Sequence, residues 1–143
     1  MTTALDSNIL IDILYNDSEF YSSSYDALHH ALRRADVVVS EPVCAEIAAN
    51  FEDRSSLQAF LSSFEVSLVP SSPAALHRAG QAFRSYLLQR KPLRCPDCSA
   101  MLDFRRHIVA DFMIGAHALV HAERLLTRDR GYFRTYFPEL ELV

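Results

Sequence analysis

The 143 residues predict an α/β fold: a mostly parallel central sheet between two layers of helices. Three observations support it. Five short β-rich runs punctuate the chain, three of them closed by a polar residue, apolar positions at helical spacing fill the gaps between them, and strands alternating with helices bury a parallel sheet on both faces. The length suits one domain over residues 1–143, and 50% hydrophobic against 22% charged residues is a globular balance.

The first strand candidate is TALD (3–6). Ile9, Leu10, Ile13 and Leu14 then share one helical face, and Tyr25, Leu28 and Leu32 share a second. DVVVS (36–40) is the next strand. Ser40 is placed to cap the helix EPVCAEIAAN, with Pro42 near its first turn. Leu57, Phe60, Leu61 and Phe64 mark another helix before the strand EVSLV (65–69). From Pro73 to about Arg90, Leu76, Ala79, Phe83, Tyr86 and Leu87 recur at helical spacing. Residues 91–106, with Pro92 and Pro96, form the most irregular piece. A helix over 108–122, a strand RLLT (124–127), a short helix near 130–136 and a strand LELV (140–143) complete the chain.

Several function classes are excluded or disfavoured. The three glycines, Gly80, Gly115 and Gly131, are scattered, so neither a P-loop nor a dinucleotide-binding glycine cluster is present. Gly80 and Gly115 fall inside helices and are read as close-packing sites. The opening MTTALDSN has no basic segment of a secretory signal. The most apolar stretch is interrupted by Asp111, His117 and His121 and is too short to span a bilayer, so a soluble cytoplasmic protein is expected.

The net charge of −4 conceals an asymmetry: residues 1–72 hold 11 acids and 3 bases, whereas residues 73–143 hold 7 acids and 11 bases. Arg94, Arg105 and Arg106 fall on one loop, and Arg128 and Arg130 near another. Thirteen of the 14 cations are arginines, whose planar fork suits phosphate. These positions are candidates for gripping the phosphates of a nucleic acid, with a solvated surface as the alternative. The pair Cys95 and Cys98 in RCPDC has the spacing of a zinc knuckle. No second pair follows, and only Asp103 and His107 stand near enough to complete four ligands, so a loop without metal is expected. His117 and His121, at i and i+4, lack the glutamate and third ligand of a zinc site. His29 and His30 read as surface residues, and the aromatic group from Phe104 to Phe137 reads as core rather than as a base-stacking platform.

Ligands of parallel α/β sheets bind at the carboxyl ends of the strands. Asp6 closes the first strand, Glu46 lies on the helix after the second, Asp111 opens the helix leading into RLLT, and Asp129 follows that strand. Asp111 stands in HIVADFMIGAHAL, where little nearby neutralises it. A buried carboxylate must be paired, protonated or bound to a cation. Four carboxylates converging at one edge repel one another unless a divalent cation sits among them, and oxygen-only ligands favour magnesium, with manganese as the alternative. Singly, Asp6 also suits a helix cap and Asp129 a turn.

The stretches LDSNILIDIL, EPVCAEIAAN, HIVADFMIGAHAL and LLTRDRGYFRTYFPELELV resemble the PIN-domain family, and within it the VapC toxins of type II toxin–antitoxin systems. The resemblance covers nearly the whole chain. It implies a PIN-like three-layer domain with an acidic quartet of Asp6, Glu46, Asp111 and Asp129, Glu41 being a nearby competitor for the second place. Asn8 and Thr127 match supporting polar positions. A magnesium-dependent endoribonuclease is implied, whose in-line displacement leaves 5′-phosphate and 3′-hydroxyl ends. So are a VapB-type antitoxin and a homodimer. The antitoxin surface is expected on the first two helices and the helix from 41, with Leu28 and Leu32 as test positions. KPLRCPDCSAMLDFRR has no counterpart in the resemblance. The alternatives are a catalytically idle PIN-like module binding RNA or a partner, and a haloacid-dehalogenase-like phosphatase; that phosphatase needs a second Asp where this chain has Asn8.

Overall fold

The computed structural model describes residues 1–91, 93–94, 97–99, 101–102 and 108–143. A five-stranded, all-parallel sheet lies at its centre in the order β3-β2-β1-β6-β7. The strands are β1 (Thr2–Leu5), β2 (Asp36–Val39), β3 (Val66–Leu68), β6 (Arg124–Leu126) and β7 (Glu141–Leu142). These correspond to the five β-rich runs. Between them lie α1 (Ser7–Leu14), α2 (Tyr21–Leu32), α3 (Glu41–Ala48), α4 (Arg54–Ser63), α5 (Pro73–Gln89), α6 (Val109–His121) and α7 (Arg130–Tyr136). No described helix is long and apolar enough to cross a membrane.

The strand order creates the place where a site belongs. From β1 the chain steps outward through β2 to β3, then crosses back to put β6 on the other side of β1. Right-handed crossovers therefore send the helices after β1 and β2 to one face, and α5, α6 and α7 to the other. The direction reverses between β1 and β6, and ligands of such sheets bind in the crevice beyond the carboxyl ends of the two strands at the reversal. Thr3 pairs with Arg124, and Leu5 with Leu126, so Asp6 and Thr127 leave the sheet side by side. The Asp6 amide donates to the Leu126 carbonyl at 3.0 Å and extends that pairing by one step.

The core follows from the apolar faces. Ile9, Leu10 and Ile13 of α1 are buried, as are Val37, Val38 and Val39 of β2, and Leu125 and Leu126 of β6. On the opposite face an aromatic cluster joins α5, α6 and α7. The Phe112 ring centre lies 5.6 Å from Tyr86, 5.4 Å from Tyr132 and 5.1 Å from Tyr136. These rings are core, as expected. Gly115 is also a close-packing glycine, because a Cβ there would stand 2.4 Å from the Phe137 ring.

Other expectations need correction. Gly80 has nothing within 4 Å of a Cβ position, so packing does not require glycine there. Ser40 occupies the N-cap position of α3, but its buried hydroxyl makes no capping bond. The 91–106 stretch is not wholly irregular, since β4 (Leu93–Arg94) and β5 (Met101–Leu102) pair antiparallel. His29 is half-buried, its ring centre 4.3 Å from that of Tyr25. Leu28 is fully buried and presents no surface to a partner, whereas Leu32 is half-buried.

Candidate functional site

Asp6 occupies the N-cap position of α1, yet its carboxylate makes no capping bond. Its partners come from elsewhere. Asn8 Nδ2 donates to Asp6 Oδ2 at 2.7 Å and Thr127 Oγ1 donates to the same oxygen at 2.6 Å. Thr127 Oγ1 in turn accepts from the Asp129 amide at 3.0 Å and lies 3.3 Å from Asn8 Nδ2. Asn8 Oδ1 faces the Arg128 amide at 3.4 Å. The first turn of α1 and the β6–α7 turn are thus joined through Asp6. The DSN and TRD triplets place these groups at two adjacent strand ends.

Asp6 is 7% exposed, and burial pushes its carboxyl above the ordinary range; the Thr127 hydroxyl opposes that rise, while the charges of Glu46 and Asp111 add to it. The Tyr132 hydroxyl is pushed up as well, first by burial, then by the Asp111 charge, with further contributions from Tyr136, Asp129 and Asp6. The charges of Glu46 and Asp111 thus reach Asp6, and those of Asp6, Asp111 and Asp129 reach the Tyr132 hydroxyl. Asp111 accepts the Ile108 amide at 2.9 Å through Oδ2, and Asp129 caps α7 by accepting the Tyr132 amide at 3.2 Å. Asp129 therefore has the structural role a turn Asp suggests, in addition to its place at the crevice.

Glu41 does not compete with Glu46 for this crevice. It is held on the β3–α5 connection, where it accepts the Ser71 amide at 2.8 Å and the Ser71 hydroxyl at 2.7 Å. Burial alone would raise its carboxyl, but the Ser71 donors bring it below the ordinary range. The two histidines tie the same connection. His117 Nε2 lies 2.8 Å from the Val69 carbonyl, and His121 Nε2 accepts the Ser72 amide at 3.0 Å. Each Nε2 is committed to the backbone, which accounts for the pair without zinc.

The arginines divide. Arg130 is exposed on the first turn of α7. Arg128 gives its guanidinium to Asp12, with Nη2 to Oδ1 at 2.8 Å and Nε to Oδ2 at 2.8 Å. Arg105, Arg106, Cys95, Asp103, His107 and Phe104 lie outside the described residues, as does the side chain of Arg94; Cys98 is exposed. Sequence reasoning passed over Asp12, although an acid between Leu10 and Ile13 carries the same signal that drew attention to Asp111.

The PIN domain family model matches residues 3–138. The chain belongs to the PIN domain family. PIN domains are generally nucleases. Among solved structures, VapBC2 from Rickettsia felis, bound to a promoter DNA fragment, aligns with TM-score 0.66 and 18% identity over 100% of this chain and 98% of that one. VapBC-1 from nontypeable Haemophilus influenzae aligns with TM-score 0.65 and 18% identity, covering 100% and 97%. FitAcB from Neisseria gonorrhoeae aligns with TM-score 0.59 and 19% identity, covering 98% and 95%. At these identities the likeness is one of fold. No curated protein sequence matches the chain.

PIN nucleases typically use divalent metals. Donor type and charge at the crevice fit a hard cation: all four candidate ligands are carboxylates, and Asp6 is strained toward protonation by burial and by its acidic neighbours. Among the described residues, no three His, Cys, Asp or Glu side chains already gather closely enough to cage an ion.

Proposed function

We propose that this PIN domain is the toxin half of a type II toxin–antitoxin pair and acts as a magnesium-dependent endoribonuclease, manganese serving as the alternative ion. One observation carries the reading: a buried carboxylate, Asp6, stands at the crevice between β1 and β6, caps no helix and is oriented by Asn8 and Thr127. A pure binding module gains nothing from burying that charge beside Glu46 and Asp111.

Asp6, Asp111 and Asp129 would hold the cation, with Glu46 as a further ligand or one acting through water. The chemistry a bound magnesium ion supplies is activation of water and neutralisation of charge developing on phosphate. Asn8 and Thr127 both donate to Oδ2 of Asp6, which fixes the carboxylate plane, while Oδ1, which faces the Ser7 hydroxyl at 3.5 Å, would offer its second lone pair to a cation. Asp129 is fixed in the same way, through Oδ1, by the Tyr132 amide. Arg130, and outside the described residues Arg105 and Arg106, would hold the RNA backbone, as would Arg94. An antitoxin would cover α1, α2 and α3, where Tyr15 is 68% exposed and Leu32 half-buried. The fold likeness to the VapBC complexes supports a VapB-type partner, and the family resemblance a homodimer.

The test is incubation with RNA in magnesium and then in EDTA, followed by analysis of the ends. Cleavage that needs the cation and leaves 5′-phosphate and 3′-hydroxyl ends supports the reading. Cleavage that persists in EDTA, or hydrolysis of a small phosphomonoester in place of RNA, contradicts it.

A further inference from the structure

Asp12 is 3% exposed, and its carboxylate is fully engaged. Besides the two-pronged contact with Arg128, Oδ2 accepts the Ser24 hydroxyl at 2.5 Å. The Arg128 guanidinium carbon lies 4.1 Å from the centre of the Phe20 ring, so the planar cation is stacked as well as paired. At its other end, the Arg128 amide faces Asn8 Oδ1 at 3.4 Å. The residue between Thr127 and Asp129 is therefore bound to α1 through both its main chain and its side chain, and to Phe20, the residue before α2, through its side chain.

We propose that Asp12, acting through Arg128, is a positioning clamp that holds the 127–129 turn against Asn8, so that Thr127 meets Asp6 and Asp129 is presented beside it. A buried acid on α1 has no solvent or substrate to serve, and the Nε and Nη2 edge of Arg128 is spent on it while the guanidinium plane lies on the Phe20 ring. Arg128 is thus a positioning residue rather than an RNA contact. Its catalytic consequence rests on the nuclease reading, whereas the clamp itself does not.

The two roles of Arg128 predict opposite effects. In the full chain, Asp12→Asn, Arg128→Lys, Arg128→Ala and the double variant Asp12→Asn/Arg128→Ala are compared by amide hydrogen exchange and by cleavage of single-stranded RNA across salt concentrations. The clamp predicts exchange at residues 126–130 faster by about tenfold or more, while β1 and β2 keep their protection. It predicts kcat lower by about tenfold with KM changed less than about threefold, and a double variant no worse than the worse single one. Arg128→Lys falls with Arg128→Ala, since lysine keeps the charge but not the fork.

An RNA contact predicts the reverse: Arg128→Ala raises KM at constant kcat and lowers the salt slope by about 1. Asp12→Asn would then free the guanidinium and tighten RNA binding. Either of these results, or unchanged exchange at 126–130, overturns the clamp. If the unaltered protein neither binds a divalent cation nor cleaves RNA, the nuclease reading fails and the exchange arm alone decides the clamp. If Asp12→Asn does not fold, the half-exposed Arg128 carries the same measurements.

Discussion

Asp6 carries a charge that the fold disfavours. Its carboxyl is raised in the folded state, so below the ordinary carboxylate range the folded chain gains nothing from ionising it, and stability falls as pH rises from that range through the raised value. Asp6→Asn keeps an oxygen for the Asn8 and Thr127 donors and removes the charge. Its melting temperature at neutral pH and low salt should equal or exceed that of the unaltered protein, by up to about 1–2 kcal/mol of stability, while RNA cleavage falls by about a thousandfold. Loss of folding would make Asp6 structural instead. The two glutamates of α3 separate by the same reasoning. Glu41→Gln should cost about 1 kcal/mol through its bond to Ser71 and leave cleavage within a few-fold, whereas Glu46→Gln should leave stability alone and lower cleavage about tenfold or more. At this scale Asp6, Asp111 and Asp129 stood out in the sequence because each interrupts an apolar stretch, whereas Glu46 rested on the family resemblance. Asn8 and Thr127 were named through the family resemblance; that both donate to the same oxygen of Asp6, from positions 119 residues apart, no local pattern shows.

Elements meet where spacing in the sequence left only faces. The five strands and the helical spans were legible because apolar period and turn residues are local signals. Cap chemistry was less so, as Ser40 shows, because a serine at an N-cap position reaches the helix amides only when its rotamer allows it. Two contacts give tests. In α6, Gly115 abuts Phe137, so Gly115→Ala should destabilise the chain by about 1–3 kcal/mol, read from urea unfolding, and more than Gly80→Ala, which meets open space. His117 ties α6 to the β3–α5 connection, and burial lowers its pKa. A base depressed in the folded state costs stability as pH falls, because the unfolded chain takes up the proton first. The unfolding free energy should therefore drop from pH 7 to 5 in the unaltered chain and drop less in His117→Gln.

At the scale of the whole molecule, the strand order decides where a site can form. Reversal of direction between β1 and β6 puts Asp6 and Thr127, the residues after these strands, side by side, and the charges of Glu46 on α3 and Asp111 on α6 reach Asp6. The sequence showed the acids on four separate elements; the adjacency of Asp6 and Thr127 needed the order β3-β2-β1-β6-β7, which is a property of pairing rather than of any segment. The arginine asymmetry was legible as charge but not as geometry, and Arg128 shows why: its partner Asp12 lies 116 residues away. The most direct test is calorimetric titration of manganese into the unaltered chain and into Asp6→Asn, Glu46→Gln, Asp111→Asn and Asp129→Asn. A shared cation site predicts saturable binding by the unaltered chain, weakened about tenfold or more by each of the three aspartate changes and to a smaller degree by Glu46→Gln. Absence of binding by the unaltered chain, or affinity indifferent to all four substitutions, would contradict it.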